Sequence, residues 1–136
     1  MARSFVDTNV FFYAVDARDP AKQKRATDLI ADLARSGEGV VSTQVIQEFA
    51  NVGMKKLDFT PEETLMLSEG FADHKIVQLD LALIGSALRL MTGASLSFWD
   101  ACIVAAAVQA GCKILYTEDL SSGQRFGDLR VSNPFL

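Results

Sequence analysis

Four acidic residues stand where a carboxylate is hard to explain as ordinary surface. Asp7 follows the apolar pair Phe5-Val6 and opens a turn, so it falls at the carboxyl end of a buried strand, the edge where open α/β sheets bind ligands. Asp119 occupies the same kind of place after Ile114-Leu115-Tyr116-Thr117-Glu118. Asp100 is the only polar residue between Phe98 and Val108, in a segment apolar on every side. A carboxylate buried there without a partner would cost several kcal/mol, so it must have one. Glu48 borders the inner stripe of its helix, one turn from Val45 and Val52. Each has a purely structural alternative. Asp7 can cap the helix that follows, Asp119 can serve a polar turn, Ser97-x-x-Asp100 has capping-box spacing, and Glu48 can be a boundary glutamate.

Converging carboxylates without histidine suit a hard divalent cation, since Mg²⁺ and Mn²⁺ prefer oxygen ligands. The single histidine, His74, sits in the polar run Ala72-Asp73-His74-Lys75 and reads as an exposed loop residue. One histidine leaves no His-rich zinc site. Cys102 and Cys112, the only cysteines, lie in apolar surroundings and match no zinc or redox spacing, so reduced core thiols are expected.

The elements that must carry these acids follow from periodicity. Short apolar runs alternate with longer amphipathic ones, which predicts an α/β domain with a parallel sheet. Strands are expected at 4–6, 39–42, 75–79 and 113–116, with a short fifth at 129–132. Residues 10–15 read as an apolar turn. Asp19-Pro20 starts a helix to about residue 35, stopped by Gly37 and Gly39. Ser42 or Thr43 caps the helix bearing Glu48, and Thr60-Pro61-Glu62-Glu63 has the pattern of a capping box opening a helix to about residue 72. Asp80 caps a helix ending near Gly93, and Ser97 caps the most apolar helix, closed by Gly111.

The 136 residues suit one compact domain, taken as 1–136. A hydrophobic share of 49% excludes a disordered chain. No signal peptide or spanning helix can be drawn at the N-terminus, so a cytoplasmic protein is expected. The net charge of −4 argues at face value against nucleic acid. If the four acids form one site, however, the 17 acidic residues less these four leave 13, against 13 basic ones, and bound cations would tip the balance positive.

Taken together, Phe5-Val6-Asp7-Thr8-Asn9-Val10, Gln47-Glu48-Phe49, Ser97-Phe98-Trp99-Asp100-Ala101-Cys102-Ile103-Val104 and Tyr116-Thr117-Glu118-Asp119-Leu120 resemble the four signature stretches of PIN domains, in order, and most resemble those of VapC-type toxins. The resemblance implies a three-layer α/β/α sandwich with a mostly parallel sheet of strand order 3-2-1-4-5. It implies that Asp7, Glu48, Asp100 and Asp119 are the catalytic acids holding Mg²⁺ or Mn²⁺. Thr8, Asn9, Ser97 and Thr117 would support them, although capping and turn formation explain these four equally well. The implied activity is a metal-dependent endoribonuclease acting as the toxin of a type II toxin–antitoxin system. A small cognate antitoxin would mask the site, and a homodimer is expected, with Leu65, Met66, Leu67 and Phe71 as candidate contact residues unless the core absorbs them. Lys22, Lys24, Arg25, Lys55 and Lys56 are candidates for the RNA backbone, with a solvated helix face as the alternative. Some family members carry a further acid soon after the last stretch; here none follows until Asp128, which leaves one or two metals open.

Two rival readings have discriminating features. A catalytically silent PIN-like binding or regulatory module would not need the full acidic set. A phosphatase or phosphoacceptor domain with Asp7 as nucleophile would want an acid two residues on, where Asn9 stands, or an acidic pair beside the first strand and a lysine after the last.

Overall fold

The computed structural model describes residues 2–136. Six strands form one sheet: β1 (Ser4–Val6), β2 (Gly39–Ser42), β3 (Lys75–Val77), β4 (Ile114–Tyr116), β5 (Arg125–Phe126) and β6 (Leu129–Ser132), in the order β3-β2-β1-β4-β6-β5. All pairings are parallel except β5 with β6. The expected order 3-2-1-4-5 holds, the fifth expected strand being β6. The sequence reading lacked β5, a two-residue edge strand turned back through Gly127, whose φ of 60° suits glycine.

The helices are α1 (Thr8–Ala14), α2 (Pro20–Ser36), α3 (Thr43–Lys56), α4 (Pro61–Ser68), α5 (Leu81–Gly93) and α6 (Phe98–Gln109). From β1 to β2 to β3 the sheet grows in one direction, and the step from β3 to β4 returns past β1. Right-handed crossovers therefore place α1 to α4 on one face and α5 and α6 on the other, giving three layers. Stretch 10–15 is thus not a turn. Asp7 caps it, and burying Val10 and Phe11 makes the segment a helix.

The expected starts are seen. Asp19 accepts from the Lys22 amide and Asp80 from Leu83. Ser42 accepts from Val45, and Thr60 and Glu63 exchange both bonds of a capping box. The fourth helix breaks at Ser68 into a 3-10 turn, Glu69–Asp73, which carries Phe71 into the core. α6 has no polar stripe, and Ala101 to Ala107 are all buried, so the helix is clamped between sheet and α5. Each large aliphatic side chain buried in this core contributes about 1.5–3 kcal/mol. Among the described residues no single helix is long and apolar enough to cross a membrane.

Three expectations change or sharpen here. His74 is buried, not exposed. Gly39 has no Cβ to fill the space beside its Nδ1, and the ring packs at an angle on Phe11 with centroids 5.9 Å apart. Burial pushes its pKa down, against the opposing charge of Asp73. Core packing absorbs Phe71 but not Leu65, Met66 and Leu67, which point outward from α4. Cys102 and Cys112 are free buried thiols, and burial raises both, Cys112 to about 11.

Candidate functional site

β1 and β4 are paired in register, with Val6 opposite Tyr116. The next residues, Asp7 and Thr117, therefore leave the sheet side by side at the point where strand order reverses. The Asp7 amide donates to the Tyr116 carbonyl at 3.0 Å, which fixes the exit. Asp7 is 6% exposed. Its Oδ1 accepts from the Thr8 amide at 2.7 Å and its Oδ2 from the Thr117 hydroxyl at 2.8 Å. Its structural role as an N-cap thus coexists with a place in the acidic group, because the cap occupies one oxygen.

Burial raises the Asp7 pKa to about 7 despite those two hydrogen bonds, and the charges of Asp119 and Glu48 push the same way. Asp100 is also raised, first by burial and then by the charge of Asp119, with Ser97 opposing. The charge of Asp119 therefore acts on acids from two elements, and Asp7 itself responds to acids from two others. The fold brings all four sequence-selected carboxylates into one electrostatic neighbourhood at the carboxyl edge of the sheet.

Each acid has one of the four selected polar residues beside it. Thr117 donates to Asp7. Asn9 Nδ2 donates to Asp119 Oδ2 at 3.0 Å and to the Thr117 hydroxyl oxygen at 3.1 Å. Thr8 reaches Glu48 Oε1 at 3.5 Å, a weak contact. Ser97 caps α6 by accepting from the Asp100 amide at 3.1 Å. Thr117 is fully buried and also accepts from the Asp119 amide at 3.0 Å, so one hydroxyl links Asp7, Asn9 and Asp119.

The donor set fits a hard cation in its chemistry. It is all oxygen and mutually repelling, and the buried Asn9 Oδ1 has no hydrogen-bond partner, which leaves one more acceptor for an ion or its water. The spacing is less closed. Among the described residues no three His, Cys, Asp or Glu side chains lie close enough, as placed, to share one ion.

Glu118 points away from this group. It accepts from Tyr13 Oη at 2.6 Å and from Lys22 Nζ at 3.0 Å, and Lys22 also lies 4.5 Å over the Tyr13 ring. The basic candidates thus divide. Lys22 is held by Glu118, Lys24 by Asp28 and Arg25 by the Pro134 carbonyl, whereas Lys55 and Lys56 are exposed at the end of α3. Sequence reasoning missed Gln44, a buried amide whose Nε2 donates to the Trp99 carbonyl. Its only signal was a polar residue where the inner face of α3 begins.

The chain resembles several solved structures in fold. It matches VapC20 of Mycobacterium tuberculosis, described as a sarcin–ricin loop cleaving toxin, with a TM-score of 0.69 at 18% identity, covering 85% of this chain and 89% of that one. A toxin–antitoxin complex from Klebsiella pneumoniae aligns with a TM-score of 0.73 at 18% identity, covering 96% and 97%. VapBC2 of Rickettsia felis, bound to a DNA fragment from its promoter, aligns with a TM-score of 0.69 at 18% identity over 96% and 97%. At such identity these likenesses speak for the fold alone. No curated protein sequence matches the chain. The model of the PIN domain matches residues 4–122, a span that holds all four acids, and the chain belongs to the PIN domain family.

Proposed function

We propose that this chain is a single PIN domain working as a Mg²⁺- or Mn²⁺-dependent endoribonuclease, the toxin of a type II toxin–antitoxin pair in the cytoplasm. The observation that carries the reading is the electrostatic linkage of Asp7, Glu48, Asp100 and Asp119 at the strand-order reversal, each beside its own polar neighbour. These four residues would hold the ion. A bound divalent ion supplies Lewis acidity toward a phosphate oxygen and lowers the pKa of bound water.

The protein's own contributions follow from the contacts. Thr117 and the Thr8 amide hold both oxygens of Asp7, which fixes the carboxylate and favours its charged form. Asn9 restrains the exposed Asp119. Water attack at phosphorus, leaving a 5′-phosphate and a 3′-hydroxyl, is the reaction that the resemblance to PIN-domain nucleases implies for such a site. Because Lys22, Lys24 and Arg25 have partners within the fold, Lys55 and Lys56 are the better phosphate contacts. A small antitoxin as partner is supported by the toxin–antitoxin complexes among the similar structures. Homodimerisation is part of the same reading.

One observation favours a second reading, a silent PIN-like module: as placed, the carboxylates do not close around one ion. Incubation with total RNA, with and without Mg²⁺, separates the two. The nuclease reading expects metal-dependent cleavage with 5′-phosphate ends, abolished by Asp100→Asn. Intact RNA together with no Mg²⁺ affinity by calorimetry assigns the silent module, and a 2′,3′-cyclic phosphate product refutes water attack.

A further inference from the structure

Beside the acids, between the N-terminal ends of α3 and α6, lies an open cavity of about 290 Å³ lined by Gln44, Gln47, Glu48, Asn51 and Trp99. That size is close to the lower end of small-ligand sites, which span ~300–1,000 Å³. Trp99 is 64% exposed, and its ring is braced edge-on by Phe98 with centroids 5.2 Å apart. A large indole is thus held out into water next to the acidic group. Gln44 is only 4% exposed; its Nε2 is spent on the Trp99 carbonyl at 3.2 Å, while its buried Oε1 accepts from nothing. A buried acceptor left open beside a cavity calls for a ligand with a hydrogen-bond donor. An aromatic face bordered by amides is how proteins hold an unpaired base, by stacking and by reading its edge.

We propose that this cavity is a base subsite for single-stranded RNA. An unpaired base stacks on Trp99 and donates an amino or imino N–H to Gln44 Oε1, and Gln47 and Asn51 offer amides to the rest of its edge. The inference rests on the nuclease reading for the identity of its ligand. Glu48 belongs to both the cavity and the acidic group, so a base seated here brings its own phosphate toward the acids. The cavity then sets which nucleotide lies beside the cleaved bond.

Trp99 is the only tryptophan in the chain, beside two tyrosines, so emission excited at the red edge, where tyrosine does not absorb, reports on this site alone. Short homopolymeric oligoribonucleotides would be titrated in Mg²⁺ into an Asp7→Asn background, which keeps the strand whole. Affinity would be read in parallel by anisotropy of a labelled oligonucleotide. The expected result is saturable quenching of Trp99, affinity about 5- to 150-fold weaker in Trp99→Ala, as loss of one stacked base implies, and near-parental affinity in Trp99→Phe. Gln44→Leu is expected to change the ranking of the four homopolymers. Absence of quenching, or equal affinity in Trp99→Ala, overturns the subsite. So does Trp99 emission that changes with protein concentration alone while the mass doubles, because a second copy then fills the cavity. Wild-type cleavage is scored separately. Cleavage with Trp99→Ala binding unchanged sinks the subsite and spares the nuclease reading, whereas quenching without cleavage upholds the subsite and sinks the nuclease.

Discussion

Replacing Asp7 by Asn should stabilise the metal-free protein, by an amount that depends on pH. The folded chain holds the Asp7 proton with a pKa of about 7, against an ordinary value of 3.8. Between those two values the folded state binds more protons than the unfolded one, so this group makes stability fall as pH rises through that window. Below it the contribution vanishes, and above it the loss is complete. Roughly three pKa units at about 1.36 kcal/mol each come to ~4 kcal/mol. Asparagine is nearly isosteric and stays neutral; its oxygen can accept from the Thr8 amide or from the Thr117 hydroxyl, as the one carbonyl oxygen of a protonated Asp7 does. Urea unfolding in a chelator would compare the two proteins from about pH 4 to about pH 8. Titrating groups remote from Asp7 are common to both and cancel in the difference. The variant should match wild type near the acid end and exceed it by up to ~4 kcal/mol at the alkaline end. Saturating Mg²⁺ should close much of the gap by stabilising wild type alone, about 2.7 kcal/mol at a hundredfold excess over Kd. A difference that stays flat across pH would refute the burial and charge repulsion assigned to Asp7.

Three further outcomes test the neighbouring contacts. Thr117→Val should cost about 1–3 kcal/mol in urea unfolding, because Asp7 Oδ2 loses its donor and Asn9 and the Asp119 amide lose an acceptor; carboxyl NMR should show the Asp7 pKa moving further up, and Thr117→Ser should restore it. Gly39→Ala should lower stability by about 1–3 kcal/mol in thermal melts, since its Cβ would stand 2.4 Å from His74 Nδ1; the combination with His74→Ala should recover part of the loss. Lys22→Met should change unfolding free energy by less than about 1 kcal/mol, because the pair with Glu118 is only partly shielded; a larger loss would mean that the contact anchors the loop after β4.

The framework was readable because its signals are local. Helix starts at Asp19, Ser42, Thr60, Asp80 and Ser97 are written in capping residues whose bonds close within three positions. Asp100 drew notice because a lone charge in an apolar run has few explanations. The errors arose where distant residues decide the outcome. His74 looks exposed from its polar neighbours, yet it is buried because Gly39, on another strand, makes room. Segment 10–15 reads as a turn until α2 and α3 supply something for it to pack against. For Leu65 and Met66 the sequence left contact surface and core both open, and α4 turns them outward. Gln44 could not be singled out at all, since its open oxygen is a property of α6 lying alongside.

The contact between Thr117 and Asp7 spans 110 positions, from the first strand to the fourth. A chain emerging from the ribosome exposes Asp7 and Glu48 early, but the hydroxyl that favours the charged Asp7 and fixes it arrives only 110 positions after Asp7. If the protein attacks RNA, a chain that stops short of Thr117 has an Asp7 without its hydroxyl partner, and the hazard to the translating cell begins only once the fourth strand has docked.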